Sequence, residues 1–431
     1  MEQNIEKRDR LIQYFETGEK RDGTKKLGLE LEHFVLDSDS KRTVSYYGDE
    51  GVGQTMSELE EKGWKGYYND EYILGLEKSP YTVSTEPGSQ FEVAFEAREK
   101  VQDLEEMYLR FMEEVLPLFA EKSQELVALG YQPKTKIDEI RLLPKHRYDY
   151  MFAFLKNTGT MAHNMMKGTC AVQVTIDYHS EADMVRKYRL GSALSPILYT
   201  LYDNAYIFEG EALERHNIRQ YIWENTDIKR SGVLPIAFDP DFSYGKYADF
   251  ILGSKPIFFD DKGKLTSTGE QTFEEVFDPS IHGDDVIYHG ISIVFPDLRL
   301  KRYLEFRMMD AVPYPLNLSA PALLKGLMYS EKNLDQLEKL FADISYQEVI
   351  DAKKSAAEKG MLGQYRGKSF YQWGEELIQL AENALTPEEK SYLKPLEENI
   401  AARQNPRDLF KRLYETKGID AAIELGRIEV D

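Results

Sequence analysis

Four stretches of the chain alternate apolar and polar residues with the period of a half-buried strand. In KLGLELEHFVLD, Leu27, Leu29 and Leu31 fall on one side and Gly28, Glu30 and Glu32 on the other. QFEVAFE follows a Pro87-Gly88 turn and sets Phe91, Val93 and Phe95 against Gln90, Glu92, Ala94 and Glu96. GTCAVQVTIDY divides into Cys170, Val172, Val174 and Ile176 on one face and Thr169, Ala171, Gln173, Thr175 and Asp177 on the other. In the fourth, RYLEFRMMD, Tyr303, Glu305, Arg307 and Met309 share a face opposite Leu304, Phe306 and Met308. An antiparallel sheet buries such apolar faces under helices, and strong twist makes its polar face concave.

Between the strands the period changes to that of helices. Leu11, Ile12 and Phe15 mark a short amphipathic helix from about Ile5 to Glu16, stopped at Gly18. A long helical pattern runs from Arg98 to Leu129 with Pro117 expected to kink or divide it, and another opens at Ser180 and Asp183 and runs toward a bend at Pro196. Beyond about Ser330 the chain reads as helical and Lys/Glu-rich, with starts at Thr386-Pro387 and Asn405-Pro406. The expectation is an α+β fold: a strongly curved, mainly antiparallel sheet forming an active-site bowl and backed by helices. Residues 1–431 are expected to form a single catalytic domain, with 331–431 as a mainly helical C-terminal flank.

The polar rows are rich in carboxylates, which changes the picture from scaffold to chemistry. Glu86, Glu92 and Gln90 surround a turn, and Glu30 and Glu32 sit two residues apart. Carboxylates gathered in one bowl need a proton or a cation to coexist, and an all-oxygen set suits Mg²⁺ or Mn²⁺. One cysteine in the 431 residues rules out an intramolecular disulfide or a Cys-based zinc cage. There is no Walker P-loop and no HExxH, and GVGQTM at Gly51 lacks the third glycine of a dinucleotide fingerprint. A net charge of −21 argues against nucleic acid and anionic membrane surfaces as partners. A start charged throughout and the want of any apolar run long enough to span a bilayer point to a cytoplasmic protein.

STEPGSQFE, LPKHRYDYM, MMKGTCAVQVTIDYHSEADMVRKYRLGSAL, IRQYIWENTD and RLKRYLEFR together resemble the plant and proteobacterial type of glutamate-cysteine ligase, in order and in spacing, over roughly Leu27 to Tyr329. The resemblance implies a glutamine-synthetase-like catalytic fold and an ATP-dependent, ADP-forming ligase of glutathione biosynthesis. ATP would be a co-substrate with glutamate and cysteine, and the enzyme a monomer or homodimer. It further implies that Glu30, Glu32, Glu86, Glu92 and Glu305 ligate Mg²⁺ and that Thr169 and Gln173 contact the nucleotide and its metal. Arg147, Arg219, Tyr148 and Trp223 would bind substrate, with Arg307 and Glu305 at the transferred phosphoryl group.

Departures from the family pattern are concentrated. Thr175 replaces an Asn, Gln220-Tyr221 replaces Ser-His, and FRMMDAVPY stands where relatives read MRGADGGPW. These changes are expected to alter the wall that meets the second amino acid, which leaves an amine other than cysteine open as acceptor. A non-catalytic metabolite-binding relative, or a glycosidase using two of the carboxylates, are readings from other classes. Plain structural roles are also open: an E-x-E pair on a strand edge, Glu305 and Arg307 as a surface ion pair, and Trp223 as core. Cys170 and His33 fall on apolar sides and read as buried residues, and the C-terminal Lys/Glu-rich segments as solvated helix faces.

Overall fold

The computed structural model describes residues 2–261 and 263–430. Its centre is an open antiparallel sheet of nine strands: β1 (Leu27–Asp37), β2 (Lys65–Asn69), β3 (Tyr72–Lys78), β4 (Tyr81–Thr85), β5 (Phe91–Arg98), β6 (Gln124–Val127), β7 (Ala171–Ile176), β8 (Leu298–Leu300) and β9 (Leu304–Asp310). The order is β8-β9-β7-β1-β5-β4-β3-β2, with β6 joined to the C-terminal half of β1. The architecture is the expected α+β one, and all four alternating stretches are strands of this sheet.

Register turns the four polar rows into a grid. Glu32 lies opposite Glu92 across β1 and β5, Glu30 lies opposite Gln173 across β1 and β7, and Glu305 lies opposite Thr175 across β9 and β7. The apolar rows meet in the same way, with Leu29 against Val174 and Leu31 against Val172. They bury under the helix Val101–Ala120, whose Leu104, Phe111, Met112, Val115 and Phe119 are fully enclosed, and under Glu181–Leu201 and Ser319–Met328. Gly28 is required by close approach: a Cβ there would sit 2.3 Å from the Thr175 hydroxyl oxygen.

Several expectations are corrected. The helix expected to reach Leu129 runs through Pro117 without dividing and ends at Ala120, where the chain turns through Ser123 at positive φ into β6. The helix entered at Ser180, expected to run toward a bend at Pro196, contains that proline and continues to Leu201. On β9 the pairing shifts between Phe306 and Met309, so Arg307 and Met308 together face Gln173. This bulge carries Met309 to the apolar side, opposite Val172, and away from the face it was expected to share with Glu305.

The C-terminal helices are fixed by side-chain caps at Ser330, Ser345, Ser369, Thr386 and Asn405. They are not simply solvated. Lys353 and Arg407 are each 1% exposed, and the chain returns to the sheet, where Ile428 N–H donates to Leu126 O at 2.9 Å.

Candidate active site

The polar face of the sheet is the wall of a cavity of about 230 Å³. Strands β1, β5 and β7 supply Glu30, Glu32, Glu92 and Gln173, the β4–β5 turn supplies Glu86 and Gln90, and β8–β9 supply Arg299, Glu305 and Arg307. Helices close the cavity: His146–Leu155 contributes Arg147 and Tyr148, Ile218–Glu224 contributes Arg219 and Trp223, and Asp284–Ser292 contributes Tyr288 and Ser292. Thr169 lines it from the segment before β7, with its hydroxyl donating to Met165 O at 2.9 Å. Every residue that the family resemblance implies for metal, nucleotide or substrate therefore borders one space.

Within that space the five carboxylates are not equivalent. Glu30, Glu32 and Glu92 each present an oxygen within 4.8 Å of the others. Burial, followed by repulsion from Glu305, raises the Glu30 carboxyl above its ordinary range. Burial also pushes Glu32 up to about 8 and Glu92 well above the ordinary range, with the neighbouring glutamates adding to both shifts. All three carboxyls thus favour the protonated form more than free carboxyls do, and a cation bound among them would oppose this. Glu305 stands apart, with Arg299 Nε at 2.6 Å and Lys301 Nζ at 2.8 Å, and burial is outweighed by Arg299, Lys301 and Arg307, so its carboxyl lies well below the ordinary range. It is an ion-pair partner within this site more than a member of the trio. Glu86 borders the cavity, where the Tyr148 hydroxyl approaches it at 3.5 Å.

The donors form the complementary set. Gln173 links the two: its amide nitrogen donates to Glu30 and, at 2.8 Å, to Glu32, while its oxygen accepts from Arg307 Nη1 at 2.6 Å. Arg219 donates through Nε and Nη2 to the Arg307 carbonyl at 3.2 and 3.1 Å, leaving Nη1 buried without a partner. Arg147 Nε and Trp223 Nε1 are likewise buried and unpaired. Trp223 lies beneath both arginines, 5.6 Å from Arg219 and 5.7 Å from Arg307, and excludes water from their flanks. Buried donors without partners in a cavity wall are what an anionic ligand would satisfy.

Arg299, Lys301 and Tyr288 escaped sequence reasoning. The hairpin register that places Arg299 opposite Glu305 was the available signal, carried by alternation in LRLKRYLEF. Conversely, the residues expected to reshape the acceptor wall do not line the cavity. Met308, Met309, Ala311 and Val312 are packed in the core, Gln220 faces the C-terminal helices, and Thr175 packs on Gly28. The bulge accounts for this, since it turns the methionines away from the polar face and leaves Arg307 on it.

Cys170 is fully buried beside the site, and burial raises its thiol well above the usual range, the opposite of an activated nucleophile. Cys170→Ser is expected to lose about 1–3 kcal/mol of stability by placing a hydroxyl in an apolar spot. Turnover should stay within a few-fold of the parent, and parent and variant should respond alike to oxidant in parallel melting and activity assays. Loss of nearly all activity in a folded variant would reinstate a catalytic thiol.

Comparison with known proteins adds a separate line. A family model described as glutamate-cysteine ligase family 2 matches residues 26–424. Chloroplastic glutamate–cysteine ligase B of Oryza sativa subsp. japonica is 30% identical over 421 residues, covering 94% of this chain and 84% of the relative. Chloroplastic glutamate–cysteine ligase of Arabidopsis thaliana is 29% identical over 418 residues, covering 94% and 80%. The fold is similar to the crystal structure of a Francisella tularensis glutamate–cysteine ligase in complex with AMP, at a TM-score of 0.53 and 10% identity over 93% of this chain and 87% of that one. The chloroplastic relatives overturn the expectation of a cytoplasmic protein. Among the described residues, no helix is long and apolar enough to cross a membrane.

Proposed function

The chain belongs to glutamate-cysteine ligase family 2, and from that premise we propose that it joins the γ-carboxylate of L-glutamate to the amine of L-cysteine at the expense of ATP. In this reading ATP phosphorylates the γ-carboxylate, ADP leaves, and the cysteine amine displaces phosphate from the γ-glutamyl phosphate to give γ-glutamylcysteine. The observation that carries it is the division of one cavity into a buried carboxylate trio and a set of unpaired buried donors, linked by Gln173.

The trio fits a hard divalent ion: three oxygens converge, none of the three carboxylates has an ion-pair partner among the described residues, and burial with neighbouring carboxylates raises all three above their ordinary range. Glu30, Glu32 and Glu92 would hold Mg²⁺ or Mn²⁺, with Glu86 nearby, and the ion would neutralise nucleotide phosphate charge. Arg219 and Arg147 hold the carboxylates of glutamate with their free nitrogens. Arg307 faces the transferring oxygens, and Gln173 fixes its guanidinium relative to Glu30 and Glu32. Glu305 keeps Arg299, Lys301 and Arg307 together against their mutual repulsion. Cysteine is favoured as acceptor because the departures from the family pattern lie outside the cavity wall.

The test is an acceptor screen: each amino acid offered with glutamate and ATP, with ADP release followed and product mass measured. Cysteine should give the highest kcat/KM and a γ-glutamylcysteine mass; another amine preferred by tenfold or more would replace this acceptor. Arg219→Ala should lower kcat/KM for glutamate by roughly thirty- to several-hundred-fold while leaving the KM for ATP nearly unchanged, through loss of about 2–4 kcal/mol of charge-assisted contact. Arg219→Lys should regain only part of this, since an ammonium lacks the fork. Equal rises in both KM values would remove Arg219 from the glutamate site.

A further inference from the structure

The helix Ile218–Glu224 carries both Arg219 and Trp223 into the cavity, yet it is only seven residues long and has little of its own to fix its angle. Its restraints come from outside. At its start, the Asn217 N–H donates to Asp203 Oδ2 at 2.9 Å. Along its back, Gln220 Nε2 donates to the Lys353 carbonyl at 3.2 Å, and at its end Glu224 Oε1 lies 3.4 Å from Lys353 Nζ. Lys353 belongs to Tyr346–Lys359, in the C-terminal flank.

The same ammonium is 2.8 Å from Asp297 Oδ2 and stands 4.8 Å from the Tyr199 ring centre. Asp297 accepts from Ser195 Oγ at 2.5 Å and Tyr199 Oη at 2.8 Å, so its carboxylate is fixed. Its backbone carbonyl accepts the Arg307 N–H at 3.0 Å, at the bulge of β9. One buried lysine thus touches the end of the Arg219 helix and the residue that holds the Arg307 backbone. Arg219 in turn donates to the Arg307 carbonyl, which closes the circuit.

We propose that Lys353 is a positioning residue for glutamate binding, holding the helix of Arg219 and Trp223 in register with the β9 bulge that presents Arg307. The inference rests on the assignment of Arg219 to glutamate. Its logic is geometric: a guanidinium that must meet a carboxylate fork to fork loses most of its value when its helix tilts by an ångström. The helical flank then belongs to the catalytic unit through this contact.

Lys353→Met removes the charge and keeps the length. It should raise the KM for glutamate by about tenfold while the KM for ATP stays within about twofold. Since the lone variant leaves the Asp297 charge buried without its cation, Lys353→Met/Asp297→Asn is measured beside it, Asn keeping an oxygen to accept from Tyr199 and turning its NH2 to the Ser195 hydroxyl oxygen, which can accept. The double variant should recover melting temperature but keep the raised glutamate KM. In an Arg219→Ala background, Lys353→Met should add less than about twofold, because its effect passes through Arg219. Recovery of both stability and KM in the double variant would overturn the proposal and leave a structural ion pair; so would a full tenfold loss on top of Arg219→Ala. If Arg219→Ala by itself leaves the glutamate KM unchanged, the assignment of Arg219 fails first and the proposal falls with it, a pattern distinct from either of those.

Discussion

Excess chelator should stop ADP formation, and Mg²⁺ or Mn²⁺ added back should restore it. Glu30, Glu32 and Glu92 bring three carboxyl oxygens within 4.8 Å, in a place where burial already disfavours charge. Protons and a divalent ion compete for these oxygens, so the metal requirement should steepen as pH falls below about 8, the value to which Glu32 is raised. The same competition predicts a stability signature. Glu32 binds its proton more tightly folded than unfolded, so its contribution is fully present below the ordinary carboxylate range and is lost as pH rises through about 8. Melting temperature without divalent ions should therefore fall as pH is raised from about 5 to about 8. Asp203 and Asp310, raised by burial to about 7 and about 8, add a decline of the same sign that no cation reverses. The diagnostic quantity is the part of the decline that Mg²⁺ abolishes. Undiminished turnover in excess chelator, or a pH decline unchanged by Mg²⁺, would show that the trio does not hold a metal.

Arg307→Ala should lower kcat by about a thousandfold, with the KM for glutamate within a few-fold of the parent. Phosphoryl transfer to a carboxylate offers little covalent work to the protein, so neutralising the equatorial oxygens in the transition state is where a side chain counts. Arg307 is placed for this by three constraints: the bulge that turns it to the polar face, Gln173 at 2.6 Å, and the Arg219 donors on its carbonyl. Burial and then Arg299 lower its affinity for a proton, the mark of a cation held beside another in anticipation of an anion. Arg307→Lys should recover a minor fraction, since one ammonium does not span two oxygens. Single-turnover measurements of γ-glutamyl phosphate formation separate this from slow product release. A variant that keeps kcat but loses glutamate affinity would move Arg307 from the phosphoryl group to the substrate clamp.

The strands that build the site were legible because each separates polar from apolar residues at every second position, and the same alternation placed the carboxylates in rows. Register was not legible. That Glu32 faces Glu92 while Glu30 faces Gln173 depends on pairing between segments far apart in sequence, and a slip of one residue would have been equally consistent with each strand read singly. The bulge at Arg307 and Met308 was hidden for a related reason: alternation continues through it in sequence and breaks only against the partner strand. β6 was absorbed into the preceding helix because QELV is as apolar at helical spacing as at strand spacing. Lys353 and Arg407 were hidden by company, each lying in a charged helix whose other lysines and glutamates are solvated. A single buried cation in such a helix leaves no periodic trace.

The order of strands carries a consequence for how the protein is made. β1 emerges early but sits in the middle of the finished sheet, between β5, which follows after a helix and the strands β2 to β4, and β7, which follows only after the further segment containing the Val101–Ala120 helix. β9, bearing Arg307, arrives later still and completes the row beyond β7. On the ribosome, β1 can pair with β5 once the β2–β5 meander has emerged, which brings Glu30, Glu32 and Glu92 together long before Gln173 or Arg307 exists to balance them. For that interval the nascent chain holds an exposed strand edge and a cluster of like charges together. The charges themselves resist the premature edge-to-edge association that such an edge invites, so the residues that later gather at the reaction centre also keep the unfinished sheet from sticking to its neighbours.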